Sequence, residues 1–219
     1  MITSVYTANF AQYDSPPRQP AASDPDIDFI YFTDQPFSST FWQVRLVTPP
    51  IEANPKHSSR YYFDQSTVVL PDHSFTIMHG ASAHLLVSAE SLIETYMPRF
   101  TPDIALFRHP HRDCLYKEAD TVVALHKDTA ENVAPQLDRY RTEGFPEHFG
   151  LSACTFIIRR NTPALEEFEQ AWWQEVSTGS HRDQLSFDYV RWKLNFPVTY
   201  IPGDVFCSSI FRLGSHRSA

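Results

Sequence analysis

Glycine is scarce in this 219-residue chain, with 6 residues against 17 prolines. That argues against flexible Gly-rich linkers and points to loops of fixed shape. Cysteine is scarcer still. Cys114, Cys154 and Cys207 are odd in number and far apart, so neither a disulfide framework nor a zinc ribbon follows, and a reducing cytoplasm is the expected compartment. No apolar run approaches the roughly 18 residues needed to span a bilayer. Residues 1–9 lack the basic start and apolar stretch of a signal peptide. Positive charge is also short: Lys and Arg total 18 against 26 Asp and Glu, a net charge of -8. An acidic surface repels phosphate backbones, which disfavours non-specific nucleic-acid binding. The chain has no phosphate-binding glycine loop, no Cys-x-x-Cys pair and no Gly-x-Ser-x-Gly elbow.

What is present suits a packed core. Hydrophobic residues make up 42% and charged residues only 20%, a balance that excludes general disorder. The length fits one large domain, expected over residues 1–205 with an irregular tail at 206–219. Apolar runs predict strands at 3–10, 28–33, 42–47, 75–78, 104–107, 155–159 and 198–201. Residues 49–57 read as a loop. Helical spacing predicts helices at 60–69, 88–96, 115–126 and 129–142, with Pro135 arguing for a break or a late start in the last. Thr162-Pro163 opens another helix. Ser180 opens the next, with Asp183 three residues on completing a capping box. Strands and helices alternate, so the fold class is α/β, a mostly parallel sheet flanked by helices. Ligands in such sheets bind at the carboxyl ends of strands. Three ends are polar: Thr33-Asp34, His79 with Gly80-Ala81-Ser82, and the run from Arg108 to Asp113.

Three constellations carry possible chemistry. His109-Pro110-His111-Arg112-Asp113 resembles the His-x-His-x-Asp run of metallo-β-lactamase-type hydrolases, in which imidazoles two apart converge on zinc. The usual next His is Cys114 here, and the bland reading is a surface loop capped by its histidines. Ser180-His181-Arg182-Asp183-Gln184 puts a carboxylate and an amide at a helix N-terminus, and the bland reading is that Asp183 completes the cap of its helix. That position lowers a carboxylate pKa, which weakens a general base but suits hydrogen bonding to sugar hydroxyls. Arg60, with Lys56 and His57, could hold a diphosphate, though solvated surface charge explains the pattern as well.

Several segments recur in order: Val5-Tyr6-Thr7-Ala8-Asn9-Phe10, Asp28-Phe29-Ile30-Tyr31-Phe32-Thr33-Asp34, Ser59-Arg60-Tyr61, and His109-Pro110 with Arg112, Cys114, Tyr116, Glu118 and Ala119. Arg182-Asp183-Gln184-Leu185-Ser186-Phe187 closes the set. Together they resemble the glycosyltransferase-like domain family of plant turgor-regulation and seed-mucilage proteins and bacterial relatives, from about Val5 to Lys193. The resemblance implies a glycosyltransferase-A-like (Rossmann-like) fold. It also implies a transferase moving a sugar from a nucleotide-sugar donor, a uridine diphosphate sugar by preference, to a hydroxyl on a glycan, a small molecule or a modified nucleic-acid base. Tyr6, Thr7, Asn9 and Asp34 would bracket the nucleoside. Arg60, Gly80 and Arg182 would contact the donor, Asp183 and Gln184 would act at the sugar or acceptor, and His109, Arg112 and Glu118 would support them. His79 stands where the family carries a metal-binding carboxylate in an Asp-Gly-Asn-like run. Mn2+ or Mg2+ would then rest on an imidazole, without the charge a hard divalent ion prefers. His216 could supply a late metal ligand. Phe63 replaces a usual Lys, and Ser66-Thr67 a Pro-His pair. Two rival functions stand beside the transferase: a metal-dependent hydrolase using His109, His111 and Asp113, and a nucleotide-sugar-binding pseudoenzyme.

Overall fold

The computed structural model describes residues 2–16, 26–51 and 54–214. His216 lies outside the described residues. A seven-stranded sheet is built from β1 (Thr3–Asn9), β2 (Ile27–Thr33), β3 (Gln43–Leu46), β4 (Phe75–His79), β6 (Ile104–Arg108), β7 (Ser152–Arg160) and β8 (Thr199–Ile201). Its order is β3-β2-β1-β4-β7-β6-β8. Strands β1, β2, β3 and β4 pair in parallel, as do β6 and β8, while β7 runs antiparallel between β4 and β6. The expected mostly parallel sheet is therefore present, with one reversed strand near its middle.

Both faces of the sheet are covered, which is why its strands read as near-continuous apolar runs. The two-residue side-chain period divides them between two cores. Tyr6, Ala8, Ile30, Phe32, Met78, Leu106 and Ile157 join one core with Leu165, Phe168, Trp172 and Phe187. Val5, Phe29, Tyr31, Ile77, Phe107 and Phe156 join the other with Leu92 and Phe211. The first core is roofed by α1 (Pro55–Asp64), α4 (Leu115–Ala124), α5 (Ala130–Thr142), α6 (Pro163–Thr178) and α7 (Gln184–Lys193), and the second by α3 (Ala89–Tyr96).

Four expectations about local structure change. Helix α1 begins at Pro55 rather than Arg60, because Asn54 caps it through His57 N (3.1 Å) and Pro55 occupies its first turn. It stops at Gln65, and α2 (Ser66–Val69) is a separate turn. Ser180 does not open α7. Asp183 is the cap itself, accepting from Gln184 N at 2.8 Å, and Ser180 Oγ donates to Asp128 instead (2.5 Å). Pro135 lies inside α5 without breaking it. The segment after 205 is not irregular throughout: β9 (Phe211–Arg212) pairs with β5 (His84–Leu85), and Phe211 stacks on Phe156 at 4.8 Å.

Beneath the first core lies a buried polar network. Arg159 is wholly buried, donating to the Tyr6 hydroxyl (2.9 Å) and Phe63 O (2.8 Å), with Nε 3.2 Å from Glu169. Glu169 in turn accepts from Ser66 Oγ, Thr67 N and Thr67 Oγ1 at 2.6–2.8 Å. Five elements, β1, α1, α2, β7 and α6, are tied together this way, and α1 is fixed over β1.

Candidate active site

The chain leaves β1 towards β2 and β3 on one side, then returns to lay β4 on the other. The crevice between β1 and β4 is thus the topological switch point, where open α/β sheets bind ligands. A cleft of about 470 Å³ opens there, within the size range of small-molecule sites. Ala8 and Asn9 from β1 with Phe10 just beyond it, Met78 from β4 with Gly80 and Ser82 just beyond it, and Cys154 and Thr155 from β7 form its floor. One face of α1 supplies Lys56, Ser59, Arg60 and Phe63 at three- and four-residue spacing. His181 and Arg182 from the α6–α7 connection, Lys127 from the α4–α5 connection, and Phe206, Leu213 and Gly214 complete the wall.

The charge of this cleft opposes that of the chain. Lys56, Arg60, Lys127 and Arg182 line it, and Asp14 is the one carboxylate among its described lining residues. Arg60 Nη1 meets Asp183 Oδ2 at 2.5 Å. Arg60 Nε and Arg182 Nε are buried with no protein partner. A buried donor left unpaired costs about 1–3 kcal/mol, so both guanidiniums call for an anionic or polar ligand. Burial, then the nearby Arg60 charge, lowers the Arg182 pKa, yet a guanidinium stays charged at any physiological pH. The Cys154 thiol is pushed up by burial and by neighbouring carboxylates, which rules it out as a thiolate nucleophile at neutral pH.

The residues expected from sequence divide into two groups. Asn9, Arg60, Gly80 and Arg182 line the cleft. Asn9 also braces its rim: its amide donates to Asp14 O (2.6 Å) and accepts from Asp14 N (3.2 Å). Asp34 stands outside, its carboxylate accepting from Ala11 N at 3.0 Å. That contact holds Ala11 and Gln12 in left-handed backbone conformations (φ 53° and 54°), which non-glycine residues adopt at a cost. Tyr6 and Thr7 are core residues: the Tyr6 hydroxyl serves Arg159 and Phe63 O, and burial raises its pKa. Asp183 lies behind Arg60 rather than on the cleft surface, and Gln184 follows it into α7 with Nε2 buried and unpartnered.

His79 does not reach the cleft. It shares the parity of Ile77 on β4 and turns to the opposite core, 5.9 Å from the Trp42 ring, with Nδ1 2.9 Å from Gly80 O. Burial lowers its pKa to about 4. No three His, Cys, Asp or Glu side chains converge as a metal site among the described residues. The described donors therefore do not fit a divalent ion.

The His109 run does not converge either. His109 Nδ1 accepts from His111 N (3.2 Å) and Arg112 N (3.1 Å), His111 stacks on Phe206, and Asp113 pairs with His148 at 2.8 Å. Arg112 pairs with Glu118, which is buried at the start of α4. These groups shape a loop beside Phe206, and among the described residues the hydrolase reading finds no convergent set of metal ligands. Sequence reasoning missed Lys127 and Phe206, which carry no local signal. It missed Asp64 as well, a buried carboxylate with both oxygens unpartnered.

Comparisons with known proteins bear on the family and the fold. The chain is 25% identical over 134 residues to the probable hexosyltransferase MUCI70 of Arabidopsis thaliana, covering 58% of this chain and 23% of that protein. It therefore spans under a quarter of that relative's length. The structure of the bifunctional glycosyltransferase WbbM in its apo form superposes with a TM-score of 0.50 at 9% identity, over 91% of this chain and 38% of the other. That likeness extends the glycosyltransferase-A-like architecture across nearly the whole chain. No described helix is long and apolar enough to cross a membrane. Residues 66–212, from α2 through β9, match the model of the TOD1/MUCI70 glycosyltransferase-like domain, and the chain belongs to that family.

Proposed function

We propose that the protein transfers a sugar from a nucleoside diphosphate sugar, a uridine diphosphate sugar by preference, to an acceptor hydroxyl. The observation that carries this reading is the pair of guanidiniums, Arg60 and Arg182, set at the β1–β4 crevice with buried, unpartnered Nε donors. A departing diphosphate gains negative charge, and preorganised cations in a partly enclosed cleft stabilise it more than water does. Lys56 and Lys127 at the mouth add to the field that draws such an anion in. Arg60 reads phosphate oxygens with a planar fork, and Asp183 orients that fork from behind. In this reading the charge usually carried by Mn2+ or Mg2+ is supplied by side chains, and His79 serves packing.

The test is calorimetry with uridine, guanosine and adenosine diphosphates, and with uridine diphosphate sugars, in manganese and in EDTA. Uridine diphosphate is expected to bind in both, and Arg60→Ala and Arg182→Ala to weaken it. Absence of binding heat and of any thermal shift across the whole panel would refute the donor assignment.

A further inference from the structure

The cleft wall contains an imidazole that the donor-binding groups leave unused. His181 lines the cleft immediately before Arg182. Its Nδ1 is 3.2 Å from Asp128 Oδ2. Asp128 is itself fixed: its carboxylate accepts from Ser180 Oγ (2.5 Å), Asn132 Nδ2 (3.0 Å) and Thr129 N (2.8 Å). A carboxylate fixed at this distance favours the tautomer with the proton on Nδ1 and the lone pair on Nε2. His181 Nε2 is shielded from bulk water and has no partner in the protein.

We propose that His181, oriented by Asp128, is the general base that deprotonates the acceptor hydroxyl. This rests on the donor reading above. The acceptor O–H proton passes to His181 Nε2, and the acceptor oxygen forms a bond to C1 of the donor sugar. The bond from C1 to the β-phosphate oxygen breaks, its electron pair leaving with the nucleoside diphosphate, whose new charge Arg60 and Arg182 receive. Attack opposite the leaving group inverts C1. Asp183 is poorly suited to the role, because its carboxylate is committed to Arg60 and Gln184 N.

The charged and titratable groups facing His181 are Asp128 from the α4–α5 connection, Arg182 from its own segment, and Arg60 and His57 from α1. Burial is the largest influence and lowers the His181 pKa. Asp128 opposes that, while Arg182, Arg60 and His57 add to it. The ring is therefore neutral at pH 7, and it loses its function as a base when protonated. Activity should fall as pH drops below the ordinary imidazole range near ~6.5 and stay level above it.

The probe is uridine diphosphate released from UDP-glucose, UDP-galactose and UDP-N-acetylglucosamine with water as acceptor, beside calorimetric binding of uridine diphosphate. Expected for His181→Gln is a rate loss of about 10²–10⁴-fold with the diphosphate affinity within about threefold of wild type. The acid limb should disappear, and added imidazole should restore part of the rate in His181→Gly. Asp128→Asn should slow release and move the acid limb to lower pH, since a charge that raises the imidazole pKa is gone. Proton NMR of the first-formed sugar should show the β-anomer from these α-linked donors. Nitrogen-15 NMR of the resting protein should find Nε2 unprotonated at neutral pH. Wild-type rate or an unchanged pH profile in His181→Gln, an α-anomer as first product, or a protonated Nε2 would each overturn the assignment. So would bound uridine diphosphate with no release from any of these donors. Failure of the wild type to bind uridine diphosphate at all would instead take down the donor reading beneath it.

Discussion

Replacing Asp183 by Asn isolates what its charge does for Arg60. The substitution keeps the side-chain shape, and Asn caps a helix about as well as Asp, so α7 should survive. What goes is the charge on the acceptor 2.5 Å from Arg60 Nη1. The Asp183 side chain is 4% exposed and that of Arg60 20%. The pair therefore sits between a surface bridge, worth about 0–1 kcal/mol, and a fully buried one, whose breaking costs about 3–5 kcal/mol. A charge-assisted hydrogen bond of about 1.5–3 kcal/mol is the fitting magnitude. One offset applies. Burial, and then the Asp183 charge, raises the pKa of buried Asp64, so neutralising Asp183 relieves Asp64 and moves the expectation to about 1.5–2 kcal/mol. With a urea slope of about 2 kcal/mol/M, the unfolding midpoint should fall by somewhat under ~1 M. A double-mutant cycle with Arg60→Met should return a coupling above about 1 kcal/mol. Losses that add within about 0.5 kcal/mol would mean the residues act independently, and the positioning role of Asp183 would be wrong.

Glu169→Ala should cost about 3–5 kcal/mol, because it strands the buried Arg159 charge and three donors. At about 2–4 °C per kcal/mol calorimetry should find Tm lower by at least about 6 °C, and a loss under about 1 kcal/mol would contradict the network. Asp64→Asn should stabilise the fold at neutral pH. The folded pKa of Asp64 is raised, so its ionisation works against folding from the unfolded value near ~3.9 upward. The gain should grow with pH above that value and vanish below it, and a gain that persists in acid would exclude the charge as its cause. Gly214→Ala would set a Cβ 2.5 Å from Ser82 O and disturb the 3.0 Å bond from Gly214 N. Faster amide exchange along β5 and β9, with weaker uridine diphosphate binding, is the expected result, and unchanged exchange would count against it.

Much of the fold was legible because buried strands announce themselves. Residues 3–9, 27–33 and 75–79 are apolar runs short enough to be strands, and the caps at Ser88 and Thr162 carry their own local chemistry. The order of the sheet was not legible. The reversal of β7 depends on pairing between Ile77 and Ile158, 81 positions apart, and no local pattern encodes partner choice. The site was half legible. Arg60 and Arg182 were reachable through the family resemblance, whereas His79 was assigned to the wrong side. Its parity with Ile77 in the alternating pattern already pointed away from Met78, which does line the cleft. Tyr6 was taken for a binding residue because the family resemblance sets the first strand against the nucleoside. Only Arg159 arriving from β7 explains what the Tyr6 hydroxyl serves.

By itself, then, the sequence determined the element types, the two apolar faces and the family, since each follows from short-range periodicity or from ordered local motifs. The tertiary structure alone decided which polar groups share one hollow. Lys56, Lys127, His181 and Arg182 come from two separate connections and a helix face, brought together by a sheet whose register no single segment contains. A cleft charge opposite in sign to the whole chain is a property of that assembly, because charges separated in sequence act together only once folding sets them within a Debye length of one another.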